Sequence, residues 1–225
     1  MRISIVIPVL NEERTLASTL EALARLAPDE IIVVDGGSTD RTREIVARTP
    51  ATLISAPRGR ARQMNRGARL ARGDVLLFLH ADTRLPPSAI ADIRAALEDP
   101  AYIGGRFDVR LDRGAWIFRA IGALMNLRSR VTKISTGDQA LFVRRAVFAA
   151  LGGFPDIPLM EDIVFSRLLK RSGRVACLNS QVVTSARRWA QAGVWRTILK
   201  MWVFRLLFLA GVSPRRLGRW YGDAR

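Results

Sequence analysis

The sequence predicts an α/β protein built on a mostly parallel sheet with helices on both faces. Short apolar runs rich in β-branched residues recur through the first half of the chain, and stretches with helical periodicity lie between them. The connections are short and carry glycine, proline or aspartate. An apolar run too short for a helix and closed by polar residues reads as a strand buried on both faces. Strands alternating with helices predict a parallel sheet with right-handed crossovers.

Residues 3–8 (ISIVIP) read as the first strand, stopped by Pro8. Asn11 is a candidate cap for a helix with Leu16, Leu20 and Leu23 on one face. Residues 30–34 (EIIVV) form a second strand ending at Asp35, where Gly36 and Gly37 allow a turn. Ser38 or Asp40 can cap the helix that follows, and residues 52–55 make a short third strand. Residues 60–71 read as a helix containing Arg62 and Asn65, ended by Gly73. The fourth strand opens the stretch 75–83 (VLLFLHADT), five apolar residues followed abruptly by His80, Ala81 and Asp82. Crossovers of one hand place Asn11, Asp35 and Asp82 along one edge, at the carboxyl ends of the strands, where ligands bind in such sheets.

Beyond a helix over 86–97 the pattern loosens. Residues 102–110 read as a strand in which Gly104 and Gly105 signal a bulge or the close approach of a ligand. A helix over 115–127 is followed by the polar loop 136–139 (TGDQ), which contains Asp138, and by a strand over 140–143. A short helix over 146–151 leads to Gly152, Gly153 and Phe154. Glu161 and Asp162 open a further helix, residues 174–183 form a last strand, and residues 192–210 read as one apolar helix.

Asp35 can accept from a nucleobase or a ribose hydroxyl, or simply cap a helix. Asp82 offers the hard oxygen that Mg²⁺ or Mn²⁺ prefers, or else closes a turn. His80, the sole histidine, can ligate, donate to phosphate or pack. Of Glu161 and Asp162, adjacent positions about 100° apart on a helix, one is expected to face the cleft and take a proton from an acceptor hydroxyl. No G-x-G-x-x-G follows the first strand, which disfavours a Rossmann dinucleotide site, and no Walker loop is present.

The 225 residues carry a net charge of +16, and residues 163–222 contain no Asp or Glu. That asymmetry calls for an anionic partner. The arginines are scattered among apolar helices with no nucleic-acid-binding signature, so nucleic acid is not the expected partner. Cys177 stands alone, which rules out an internal disulfide and a cysteine-built metal site. The N-terminal residues do not read as a secretory signal, and residues 201–212 are interrupted by Arg205 and fall short of the ~20 residues of a spanning helix. The expectation is a cytoplasmic protein, with a peripheral position on the inner face of the cell membrane and a homodimer both left open.

IVIPVLNEERTL, VVDGGSTDRT, GDVLLFLHADT, the Gly152–Gly153–Phe154 turn and the Glu161–Asp162 pair together resemble glycosyltransferase family 2. The resemblance spans residues 1–189 and implies the GT-A fold, with a nucleotide-binding half (1–100), an acceptor-binding half (101–189) and a C-terminal helical extension (190–225). It implies a nucleoside-diphosphate sugar donor, UDP-linked by preference, an Mg²⁺ or Mn²⁺ cofactor and inversion at the anomeric carbon. Pro8, Asn11, Glu12, Asp35, Arg62, Asn65 and Asp82 would bind the donor. Asp82, with His80 where the family usually has a second aspartate, would hold the metal. Asp162 would be the base, while Gly105, Asp138, Glu161, Arg188 and Trp189 would line the acceptor side. The acceptor is unidentified, with a lipid-linked one among the candidates. Arg188 and Trp189 end a Q-x-x-R-W-like segment that lacks its glutamine, so processive synthesis is not implied. The other readings are a non-catalytic sugar-nucleotide binder and a nucleotidyltransferase, the latter disfavoured by PVLNEE after the first strand.

Overall fold

The computed structural model describes residues 1–221, apart from the side chains of Arg188 and Gln191. Four parallel strands form its first half: β1 (Ile3–Val9), β2 (Glu30–Asp35), β3 (Thr52–Ser55) and β4 (Val75–Phe78). Every residue of β1 and β4 is buried, as strands without polar alternation must be when helices cover both faces. The chain then adds β5 (Thr83–Arg84), β6 (Tyr102–Leu111), β7 (Phe142–Arg144) and β8 (Arg174–Thr184). The eight strands lie in the order β3-β2-β1-β4-β7-β6-β8-β5. β7 runs antiparallel to β4 and β6, and β5 antiparallel to β8, so the sheet is mostly parallel. β1 is flanked by β2 and β4, which makes the end of β1 the point where the strand order reverses.

Helices α1 (Leu16–Arg25), α2 (Thr42–Ala47), α3 (Arg60–Leu70), α4 (Ala89–Ala96), α5 (Trp116–Thr132), α6 (Arg145–Ala150) and α7 (Glu161–Ser172) cover the two faces. One core packs Leu16, Leu20, Ile93, Phe118 and Ile121 onto the sheet. On the other face Phe78, Phe148, Phe154 and Phe165 stack together, with the Phe154 and Phe165 rings 4.7 Å apart. The chain ends in α8 (Arg187–Ala192), α9 (Val194–Leu209) and α10 (Pro214–Tyr221).

α3 lies close on the sheet because residue 67 has no side chain. A Cβ there would stand 2.5 Å from Val6 Cγ1 and 2.9 Å from Val34 Cγ2. Gly67→Ala therefore sets better helix propensity against overpacking, and overpacking prevails. The expected outcome is a loss of about 1–3 kcal/mol, read from denaturant unfolding.

One local expectation differs from the structure, and three local features are fixed by it. Asn11 does not cap α1. Its backbone is left-handed (φ 54) and its side-chain oxygen accepts from the Thr39 N–H at 2.8 Å, holding two loops together instead. The glycines of β6 belong to bulged pairing: Gly104 lies under the Phe142 carbonyl and Gly105 between the Phe142 ring and Ala176. The helix read over 192–210 is α9, which starts just after Gly193 (φ 83), where α8 ends. β5, which the sequence does not announce, pairs with β8, and Thr83 and Thr184 share a buried hydroxyl–hydroxyl bond of 2.9 Å there.

Candidate active site

Parallel pairing brings the carboxyl ends of β1, β2 and β4 side by side, with Val9 opposite Asp35 and Val6 opposite Phe78. Asn11, Asp35 and the His80–Asp82 turn consequently share one edge of the sheet. Asp35 is fully buried and accepts from the Ser38 N–H at 3.0 Å, with Arg43 3.5 Å away. Its carboxylate thus shapes the β2 turn. Glu12 accepts from the Thr15 hydroxyl and lies 3.7 Å from Arg187 of α8, which ties the β1 loop to the C-terminal part of the chain. Pro8 is buried within β1.

After β4 the chain turns sharply, and the Thr83 N–H donates to the His80 carbonyl. The Thr19 hydroxyl donates to the Ala81 carbonyl at 2.6 Å. Backbone and hydroxyl bonds therefore shape the turn that carries Asp82. The His80 ring packs on Gly137, where a Cβ would stand 2.6 Å from Nε2. A cleft opens beside it, lined by Arg60, His80, Gly137, Phe154, Glu161 and Asp162.

Both acidic residues at the start of α7 face this cleft, although one alone was expected to. The pocket is flanked on two sides: Glu161 reaches the Arg60 guanidinium of α3, while Asp162 reaches the Gly137 N–H. Glu161 is buried against Arg60 at 3.3 Å. Burial pushes its carboxyl above the usual range, and the Arg60 guanidinium opposes that. Asp162 accepts from the Gly137 N–H and from its own helix at Ile163, each at 2.8 Å. Two fixed donors leave its carboxylate one orientation, toward the cleft. Burial likewise raises the Asp138 carboxyl, with the Thr136 hydrogen bond and Arg128 acting in the opposite sense.

Sequence reasoning missed three cations here. Arg60 meets Glu161 and lies in electrostatic range of Asp162. Arg128 of α5 and Arg205 of α9 lie in electrostatic range of each other and of Asp138 and Asp162. Burial and the neighbouring Arg128 bring Arg205 down to about 10. Arg205 did carry a signal, as the cation that interrupts an apolar helix; Arg128 carried none. Orphaned polar atoms gather at the same place: Asp138 Oδ1, Gln139 Nε2 and Arg128 Nε are buried without a hydrogen-bond partner. Such a grouping suits a polar ligand.

The remaining residues are placed as follows. Arg62 pairs with Asp156 at 2.8 Å. Asn65 clamps the Phe154 backbone in both directions, donating at 2.7 Å and accepting at 2.9 Å. Asn65→Ala is expected to lose about 1–3 kcal/mol and to loosen the cleft wall at Phe154, both measurable by thermal unfolding and limited proteolysis. Trp189 is buried in the core against the sheet. The side chain of Arg188 lies outside the described residues.

Among the described residues no group of three or more His, Cys, Asp or Glu side chains is arranged to hold a metal ion. Mg²⁺ is commonly held by one or two carboxylates plus substrate phosphates. One carboxylate from Asp82, in the turn that also carries His80, fits that mode and does not fit a closed protein cage.

A parallel nucleotide-type edge continued by a mixed half-sheet is the GT-A architecture. Glucosyl-3-phosphoglycerate synthase from Mycobacterium tuberculosis, solved with Mg²⁺ and uridine diphosphate, shares it with a TM-score of 0.63 at 21% identity, over 94% of this chain and 80% of that one. The family model "Glycosyl transferase family 2" matches residues 4–151, and the chain belongs to that family. Asp162 and all that follows lie beyond the matched span.

Two curated relatives are similar over much of the chain. A "PGL/p-HBAD biosynthesis glycosyltransferase" of Mycobacterium bovis is 34% identical over 67% of this chain and 62% of its own length. An "undecaprenyl-phosphate 4-deoxy-4-formamido-L-arabinose transferase" of Serratia proteamaculans is 30% identical over 80% of this chain and 60% of its own. The chain thus spans about three fifths of the length of these relatives.

Proposed function

We propose that the protein is a glycosyltransferase that moves a sugar from a nucleoside-diphosphate sugar, UDP-linked by preference, to a lipid-linked acceptor with inversion. The observation that carries this reading is that Asp162 and His80, the latter in the turn that carries Asp82, line one pocket. Asp82 stands at the end of β4, and Asp162 is aimed into the adjoining cleft by the Gly137 N–H. The lipid-linked acceptor class rests on the name of the Serratia relative. The working position is then the cytoplasmic face of a membrane.

In this reading residues 1–100 hold the donor, with Asn11, Glu12 and Asp35 shaping the nucleotide loops and Asp82 meeting the diphosphate. Arg62 and Asn65 act on the donor side through the 152–156 turn they anchor. Residues 101–189 supply the acceptor side, where Asp138, Arg128 and Arg205 form a polar wall. Asp162 takes the proton of the attacking hydroxyl, whose oxygen forms the new bond to the anomeric carbon as the bond to the diphosphate oxygen breaks. Mg²⁺ or Mn²⁺ held at Asp82 supplies charge neutralisation for the departing diphosphate.

A panel of UDP-, GDP- and dTDP-sugars with Mn²⁺ or Mg²⁺, screened for thermal stabilisation, tests the donor half. One nucleotide class is expected to raise the melting temperature only with metal present. A flat panel would remove the donor assignment.

A further inference from the structure

Apart from the catalytic cleft, the surface has one strongly apolar region. Trp195, Leu199, Trp202, Leu206 and Leu209 of α9 are all exposed, Trp195 to 73%. At about 100° per residue, they fall within about 40° of a single line along the helix. One flank of α9, about 60–120° round from that line, packs Val194, Ile198 and Met201 onto the same core as Phe118 and Ile121 of α5. α5 repeats the arrangement. Its inner face is buried, while Trp116, Leu124, Leu127 and Val131 are exposed, Val131 to 75%. Both helices contribute to one core, and Arg128 of α5 and Arg205 of α9 lie within electrostatic range.

Four of the five tryptophans, Trp116, Trp195, Trp202 and Trp220, lie exposed on α5, α9 and α10. Tryptophan favours the water–hydrocarbon boundary because its ring is apolar and its N–H wants a partner. The charges complete the pattern. On α9, Arg196 and Lys200 lie about 100–140° to one side of the apolar line, in reach of the boundary on long stems. Arg215, Arg216 and Arg219 on α10 are exposed beside Trp220. No Asp or Glu occurs in α5 or in residues 163–222.

We propose that α5, α9 and α10 form one face that seats in the headgroup layer of an anionic phospholipid bilayer. No described helix is long and apolar enough to cross a membrane, so the mode is interfacial insertion. Charge decides against a second copy of the chain as the occupant. Self-association would press two all-basic rims together, whereas an anionic lipid surface neutralises them. On its inner side α9 touches α7 through the Arg167–Phe208 contact, and α7 begins with Glu161 and Asp162. The proposal stands independently of the transfer reaction.

Flotation with phosphatidylglycerol–phosphatidylcholine vesicles at low salt, followed by tryptophan fluorescence, tests it. The wild-type protein is expected to float, to shift its emission to the blue, and to do neither with pure phosphatidylcholine. The double substitution Leu199→Glu and Leu206→Glu, at exposed positions, is expected to weaken vesicle partition about tenfold or more while leaving donor-induced thermal stabilisation unchanged. Failure of the wild type to float, equal binding to neutral vesicles, or wild-type partition by the double variant would overturn the proposal. So would a wild-type dimer that ignores vesicles and becomes monomeric in the double variant, since the face would then belong to a second copy. Because donor binding is measured separately, a failed lipid face leaves the donor assignment standing, and the converse holds as well.

Discussion

Replacing Asp162 by Asn is expected to lower kcat for a hydroxyl acceptor by roughly 10²–10⁴-fold, the usual contribution of a positioned general base. Nucleotide affinity should change by no more than about twofold, because Asp162 belongs to the far wall of the cleft and to none of the β1, β2 or β4 turns. The geometry defines the control. Asp162 accepts from Gly137 and Ile163, and an Asn keeps one acceptor oxygen while turning an NH₂ toward the other donor. The lost bond is worth about 1 kcal/mol of stability, so the variant should fold and melt slightly early. A steady-state comparison with wild type reads the effect directly. Transfer to an acidic phosphate oxygen needs no base, and a small loss with such an acceptor alone would identify it. Wild-type turnover with a hydroxyl acceptor would remove Asp162 from proton transfer.

Asp82→Ala is the second large effect. The turn that carries Asp82 is held by the His80–Thr83 backbone bond, the Thr19 hydroxyl on Ala81 and the Thr83–Thr184 pair. Truncating the side chain should therefore leave the fold in place. Loss of even an outer-shell partner typically weakens metal binding about 10–100-fold, and loss of the carboxylate itself should reach the upper end of that range or beyond. Calorimetric titration of the donor nucleotide with and without Mn²⁺ measures it: the metal-dependent part of the affinity disappears and the metal-independent part stays. Undiminished metal-dependent binding would contradict the assignment.

What was legible in the sequence followed from how locally each signal is encoded. The strands around Val6, Val33 and Leu77 are apolar on both faces and bounded by polar residues, so their burial and parallel pairing could be read directly. The shared edge of Asn11, Asp35 and Asp82 followed from crossover handedness. Roles that depend on tertiary neighbours could not be read. Gly105 stands out as a glycine, but only the overlying Phe142 ring shows what its missing side chain accommodates. Asn65 is a polar helix residue until Phe154 arrives from 89 positions away. The left-handed Met160 that precedes α7 is a conformation a methionine does not advertise, and the partners of Glu161 and Asp162, Arg60 and the Gly137 N–H, lie far off in sequence. Arg205 looked like an interruption of an apolar helix. It became intelligible once α9 was seen to lie across the core with one apolar face inward and another left to the outside.

The central claim is sugar transfer from a nucleotide donor. Its most direct test is release of nucleoside diphosphate by the wild-type protein from the donor that stabilises it, measured with a membrane lipid extract as the acceptor source. The account predicts release that requires Mn²⁺ or Mg²⁺, rises with added lipid, and is lost in both Asp82→Ala and Asp162→Asn. Tight donor binding with no diphosphate released under any of these conditions would contradict it and leave a sugar-nucleotide binder in its place.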